Sequence, residues 1–262
     1  MKKLYVLTGI FAMLFIYACS SDDMSESPVP EANKKKLIRM TFESDNDYYE
    51  RYFYYNEEDK VFRTTRFYGN TTIVQDTYYE YENNLIVASK SYSDLQLTGA
   101  REFNYVNNNL IEIISYNKEG NQIHKLEFAH NLENRIRTIY TEVENSTTTD
   151  PFVNFAYNTD GNAIEMRIRR SFTQMEYDTN PKPGNNFTYA NRFILNPQHH
   201  LYLNLSENNR LKSDEDPSST HYSYITTTTI TYDTDNYPVQ KIFGKRLHEN
   251  VVSIEKMTFQ YE

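Results

Sequence analysis

Four arginines carry the sharpest hint of chemistry in this chain. Arg135 and Arg137 stand two apart in one predicted strand, and Arg167 and Arg169 stand two apart in another, about one repeat later. Residues two apart in a strand share a face. Neighbouring strands would therefore bring four guanidinium groups into a stripe able to hold carboxylates or sulfates of an acidic polysaccharide. The same arginines are equally suited to pair across strands with Glu127, Glu142, Glu144, Glu165 or Glu176. His199-His200, with His221 nearby, is the only histidine cluster, and adjacent strand residues point to opposite faces and chelate poorly. Asp233-Thr234-Asp235-Asn236 opens like a calcium loop but lacks the following Gly and the distant Glu, which makes it a turn. The sequence holds no nucleophile elbow, phosphate loop or metal-binding helix motif, and nothing marks out two of its 36 acids as a glycosidase pair. The expectation is a protein with no catalytic residue, no metal and no cofactor.

The elements that must position these groups are announced by a repeat. Tyr79-Glu80-Tyr81 leads through Asn83-Asn84 to Leu85-Ile86-Val87, and Phe103-Asn104-Tyr105 leads through Asn107-Asn108-Asn109 to Leu110-Ile111. A third copy runs from Leu126-Glu127-Phe128 through Asn131 and Asn134 to Ile136-Arg137-Thr138-Ile139-Tyr140. Aromatic residues two apart place two rings on one face of a strand, and Asn accepts the left-handed backbone of a tight turn. Each copy is therefore a predicted β-hairpin, and its recurrence at about two dozen residues points to an array. Less regular copies precede it, from Tyr48 through Asn56-Glu57-Glu58-Asp59 to Tyr68. Others follow it, from Phe155 through Asp160-Gly161 to Arg169 and from Tyr222 through Asp233 to Phe243. A short helix is predicted only around Leu201–Leu205.

The start of the chain reads as an address. Lys2 and Lys3 precede an apolar run from Leu4 to Tyr17, too short to span a membrane comfortably, which makes residues 1–18 an export signal. Ile16-Tyr17-Ala18-Cys19 resembles a bacterial lipobox, with Tyr17 where a small residue is usual, and Cys19 is the only cysteine of the chain. Lipid attachment at Cys19 suits a lone thiol in an exported protein. Ser20-Ser21-Asp22-Asp23 looks like the short acidic export signal of Bacteroidota surface lipoproteins. Residues 19–36 then read as the lipidated Cys and a flexible tether, and residues 37–262 as a single β-repeat domain.

The Tyr-x-Tyr-Asp-x-x-Gly-like cores, Phe155-Ala156-Tyr157 with Gly161 and Tyr232-Asp233 with Asn236, resemble YD (RHS-type) repeats. With Tyr177-Asp178-Thr179-Asn180-Pro181 they are similar to an uncharacterised family of Bacteroidota lipoproteins built from such repeats. The resemblance implies an all-β, antiparallel meander of hairpins forming a broad twisted or curled sheet, open or partly closed, and it attaches no catalytic residue to the motif. Composition agrees: 24 Tyr among 39% hydrophobic residues suit a sheet whose rings lie half-buried with their hydroxyls in water. A net charge of −9 argues against nucleic acid. The expected protein is a non-enzymatic, lipid-anchored lipoprotein of the outer membrane, facing the cell exterior, with the membrane and an extracellular glycan or an envelope protein as partners. A structural role in an envelope complex and a glycan-active enzyme are the alternatives.

Overall fold

The computed structural model describes residues 35–69, 73–143, 151–168, 171–181, 206, 208–215, 224–247 and 250–262. These residues belong to one compact unit, Lys35–Glu262. Its strands are β1 (Leu37–Ser44), β2 (Tyr48–Tyr55), β3 (Val61–Tyr68), β4 (Val74–Glu82), β5 (Leu85–Ser93), β6 (Gln96–Val106), β7 (Asn109–Asn117) and β8 (Gln122–His130). They continue with β9 (Ile136–Val143), β10 (Pro151–Tyr157), β11 (Ala163–Ile168), β12 (Ser171–Pro181), β13 (Asn208–Glu215), β14 (Tyr224–Tyr232), β15 (Pro238–Leu247) and β16 (Asn250–Tyr261). Each strand pairs antiparallel with the next, and β1 pairs with β16, so the sheet closes into a 16-stranded barrel. Closure goes beyond the open or partly closed sheet predicted, and it leaves no edge strand to protect. The repeat over residues 79–140 pairs in chain order, as expected.

Two turn chemistries close hairpins of the barrel. Asn83-Asn84 and Asn107-Asn108 both have positive φ at two consecutive positions, the I′ geometry that matches strand twist, with Asn in the role usually given to Asn-Gly. In the longer turns an Asx side chain organises the backbone. Asn56, Asn117, Asn131 and Asp233 each accept, on one side-chain oxygen, the amides two and four residues ahead. The left-handed position falls on Asp59, Gly120, Asn134 and Asn236 respectively, and on Gly161 in the turn led by Asn158. Asp233 thus leads a turn, as the sequence suggests. We call the end that carries the turns at Asn56, Asn83, Asn107, Asn131, Asn158 and Asp233 the floor. The chain enters and leaves the unit there, where Lys36 and Glu262 exchange backbone hydrogen bonds of 3.0 and 2.9 Å.

Next to the floor every copy carries a β-bulge. Opposite Tyr55, Tyr81, Tyr105, His130, Tyr157, Tyr177, Tyr232 and Tyr261 the partner strand skips one residue: Phe62, Val87, Ile111, Arg137, Ile164, Leu211, Val239 and Ile38. A bulge leaves the extra residue unpaired and turns its neighbour onto the other face. Here it drives Leu37, Val61, Ile86, Leu110, Ile136 and Ala163 fully inward, while Phe62, Ile111, Ile164 and Leu211 stay exposed. The inward residues join Phe53, Tyr79, Phe103, Phe128, Phe155, Met166, Met175 and Phe259 in one buried apolar cluster.

The second aromatic of each motif fastens this layer. Tyr55, Tyr81, Tyr105, Tyr157, Tyr177 and Tyr261 each donate the phenolic hydroxyl to a backbone carbonyl near the start of an earlier strand, at Leu37, Val61, Ile86, Ile136, Ala163 and Pro238. The distances are 2.7–2.9 Å. All six carbonyls belong to buried residues that directly precede a skipped residue, and each tyrosine supplies such a carbonyl with a donor. Burial raises Tyr81 and Tyr105 above the usual phenol range and keeps them protonated as donors.

Candidate functional site: a cationic interior above a closed floor

The inward positions change character along the barrel. Two residues from each aromatic pair, away from the floor, the same face carries Arg51 before Phe53, Thr77 before Tyr79, Arg101 before Phe103 and Leu126 before Phe128. Across the register stand Arg66 opposite Arg51, Ser91 opposite Thr77 and Ser115 opposite Arg101. Hydroxyl pairs line this part: Thr64 Oγ1 lies 3.3 Å from the Tyr79 hydroxyl and Thr77 Oγ1 lies 3.1 Å from Ser91 Oγ. Most inward residues beyond this layer, including Tyr49, Tyr68, Gln75, Ser91, Ser115 and His124, are half-buried, as are the floor tyrosines Tyr55, Tyr81, Tyr105, Tyr157, Tyr177 and Tyr261, whereas the apolar residues packed between are buried. Side chains that point into a closed ring and still meet solvent border accessible space, so the interior has an apolar half and a wet, polar half.

Cations concentrate in the polar half. Arg51 and Arg66 are 3% and 7% exposed. Arg66 lies over the Tyr49 ring at 4.6 Å and the Tyr68 ring at 5.7 Å, and donates to the Tyr68 hydroxyl at 3.0 Å. Burial, and then the Arg66 charge, push Arg51 down to about 10. Burial also lowers Arg101, which stands opposite Ser89, itself opposite Tyr79. His124 is held below the usual imidazole range by burial and by Arg101, with its Nε2 at 2.9 Å from Thr141 Oγ1. On β15, Lys241 lies over the Phe259 ring at 5.8 Å, and burial takes it down to about 7.

The outer wall is the reverse. Ion pairs run across and along its strands: Arg39–Glu50 at 2.6 Å, Lys90–Glu80 at 3.0 Å, Lys125 with Glu112 and Glu127 at 3.0 and 2.8 Å, and Lys212–Glu176 at 3.4 Å. Glu50 is held below the usual carboxylate range by hydrogen bonds from Tyr48 and Tyr52, and then by Arg39.

Of the predicted arginine stripe, the structure describes Arg135 and places Arg137 and Arg167 on strands β9 and β11. Arg135 closes the turn led by Asn131, donates through Nη1 to the Gly161 carbonyl at 2.9 Å, and lies over the Tyr157 ring at 5.8 Å. Gly161 leaves no room for a side chain because that guanidinium fills the space. Arg137 is the exposed bulge residue, so the two-apart alternation with Arg135 fails at that point. Arg167 is on the outer wall, paired along its own strand with Glu165 at 2.6 Å and lying 5.9 Å from the Phe172 ring. Arg169, Cys19, His199, His200, His221, residues 1–34 and the helix predicted at Leu201–Leu205 lie outside the described residues. Sequence reasoning missed Arg51, Arg66 and Arg101, although extending the aromatic pair two residues toward the N-terminus marks Arg51 and Arg101 as inward. Among the described residues no group of His, Cys, Asp and Glu could hold a metal ion, and no helix is long and apolar enough to cross a membrane.

No protein-family model matches the chain, and no curated protein matches its sequence. Among solved structures, it is similar to a porin-like protein from Bacteroides uniformis, with a TM-score of 0.55 at 12% identity over 86% of this chain and 96% of that one. A second porin-like protein, from Bacteroides vulgatus, gives 0.40 at 10% identity over 87% and 99%. The Tc holotoxin pore of Photorhabdus luminescens gives 0.33 at 9% identity over 82% of this chain and 13% of that one. The first likeness shows a shared fold; the other two are too distant to add to it.

Proposed function

We propose that this chain is a non-enzymatic binding protein of the bacterial envelope: a barrel that stands in water, held at the outer membrane by a lipid on Cys19. The observation that carries this reading is the distribution of charge between the two faces of the wall. A barrel that crosses a bilayer needs an apolar outer band, and an outward Arg or Lys near mid-membrane costs about 2–4 kcal/mol. Here Arg39, Lys90, Lys125, Arg167 and Lys212 face outward with their carboxylates among exposed apolar residues such as Phe67, Ile111 and Ile164, while the buried apolar cluster lies inside. The likeness to a porin-like Bacteroides protein supports an envelope setting, and the repeat supports the kinship with YD-type lipoproteins. Lys35, which pairs with Asp233 and Asp235 at 2.7 and 2.6 Å, lies at the floor. The polar half of the interior lies at the other end of the barrel from Lys35. The binding surface in this reading is that interior.

The test is detergent phase partitioning of the full-length protein expressed in a bacterium that lipidates exported proteins. The native chain is expected in the detergent phase, and Cys19→Ala in the aqueous phase as a folded monomer. Retention of Cys19→Ala in carbonate-washed membranes would contradict a barrel that stands in water.

A further inference from the structure

The inward faces of β2, β3 and β6 bring Arg51, Arg66 and Arg101 into one sector of the polar half. Arg51 and Arg66 are direct cross-strand partners; Arg101 stands opposite Ser89 and Ser89 opposite Tyr79, whose hydroxyl lies 3.3 Å from Thr64 Oγ1, two residues along β3 from Arg66. Like-charge repulsion between Arg51 and Arg66 persists whatever else each one touches, and it is strengthened by their removal from water. The chain as a whole carries −9, so positive charge has been concentrated inside a body that is otherwise acidic. Arg66 is braced by Tyr49 and Tyr68, which fixes the plane of its donors. The wall around the three is made of hydroxyls and an amide, from Thr64, Gln75, Thr77, Ser89, Ser91 and Ser115, all on inward register positions. Planar, fixed guanidinium forks with hydroxyl donors beside them form the set that recognises oxygen anions in bidentate fashion.

We propose that this sector binds a ligand through an oxyanion group, a phosphate, sulfate or carboxylate, held by Arg51, Arg66 and Arg101 with the neighbouring hydroxyls as further donors. The proposal rests on the reading of the barrel as a binding protein and names the chemistry its interior selects. Access is through the polar half, because the tyrosine-braced apolar layer closes the floor side.

Isothermal titration of the full-length protein in detergent tests it, with inorganic phosphate, sulfate and glucuronate as probes and glucose as the neutral comparison. At low ionic strength at least one of the three anions should bind saturably, glucose should not, and added salt should weaken the interaction. Which anion binds separates the three sources of the charge. Loss of one hydrogen-bonded arginine is expected to weaken binding about 10-fold or more in Arg101→Gln, with part of the affinity kept in Arg101→Lys. Arg167→Gln, on the outer wall, should bind as the native protein does. The bound anion should also raise the melting temperature of the native chain and not that of Arg101→Gln, and Arg66→Gln repeats the comparison should Arg101→Gln fail to fold. The proposal is overturned if none of the three anions binds the native chain, or if both glutamine variants bind as tightly as it does. Failure here with Cys19→Ala folded and water-soluble removes the oxyanion site alone; membrane retention of Cys19→Ala removes the reading beneath it.

Discussion

Phe128→Ala should lower the stability of the barrel by about 3–5 kcal/mol, read as a shift in the midpoint of urea unfolding followed by far-ultraviolet circular dichroism. Phe128 is 6% exposed within the apolar cluster and stands opposite Ile139, itself buried, across the β8–β9 ladder. Its loss removes transfer energy and leaves a cavity that a closed ring cannot collapse, since each strand is held on both sides. The copy it belongs to has His130 where the others have tyrosine, so no phenol-to-carbonyl bond is available there to limit the damage. Phe67→Ala provides the contrast. Phe67 is 40% exposed on the outer wall, where it meets the edge of Tyr52, and its replacement should cost about 1 kcal/mol or less.

Lys241→Met should act in the opposite direction, raising stability by about 1–3 kcal/mol at pH 7 and below. Burial lowers Lys241 to about 7 in the folded barrel, while an unfolded lysine keeps its ordinary value near 10.5. Below pH 7 the ammonium is present in both states, and the full cost of burying it falls on the folded one. Between about pH 7 and pH 10.5 the unfolded chain binds the extra proton, so the stability of the native protein rises with pH across that window. The advantage of Lys241→Met should therefore be largest at pH 6 and shrink toward pH 10, as measured by thermal melts at several pH values. Half-burial and the opposing influence of Asp178 keep the effect below what the full shift alone implies. A cation retained at such a cost is what an interior that selects anions would carry.

The fold was legible where local chemistry repeats. Aromatic pairs such as Tyr79 and Tyr81 set the inward face, Asn83-Asn84 set the reversal, and together they foretell the order of pairing. Closure was not legible, because the register of Leu37 with Tyr261 joins opposite ends of the chain and no local pattern encodes it. The start of β6 was hidden for a different reason. Its turn places Asp94 and Leu95 at positive φ, and leucine carries no signal for that conformation. The bulges misled the site prediction most directly. Period-two alternation is sound inside a ladder and fails where a residue is skipped, so Arg135 and Arg137 seemed to share a face although one closes a turn and the other is the extra residue. Arg167 meets Glu165, one of the carboxylates named for it, but along its own strand and not across two.

Planar-bilayer recording of the purified full-length protein gives the most direct test of a barrel closed at one end that works in water. The arrangement of charged outer wall, apolar layer and tyrosine-to-carbonyl fastenings predicts a bilayer that stays silent at every protein concentration tried. Stable, voltage-tolerant conductance steps that scale with added protein would mean that the wall faces lipid and the interior is open from end to end, and would contradict it.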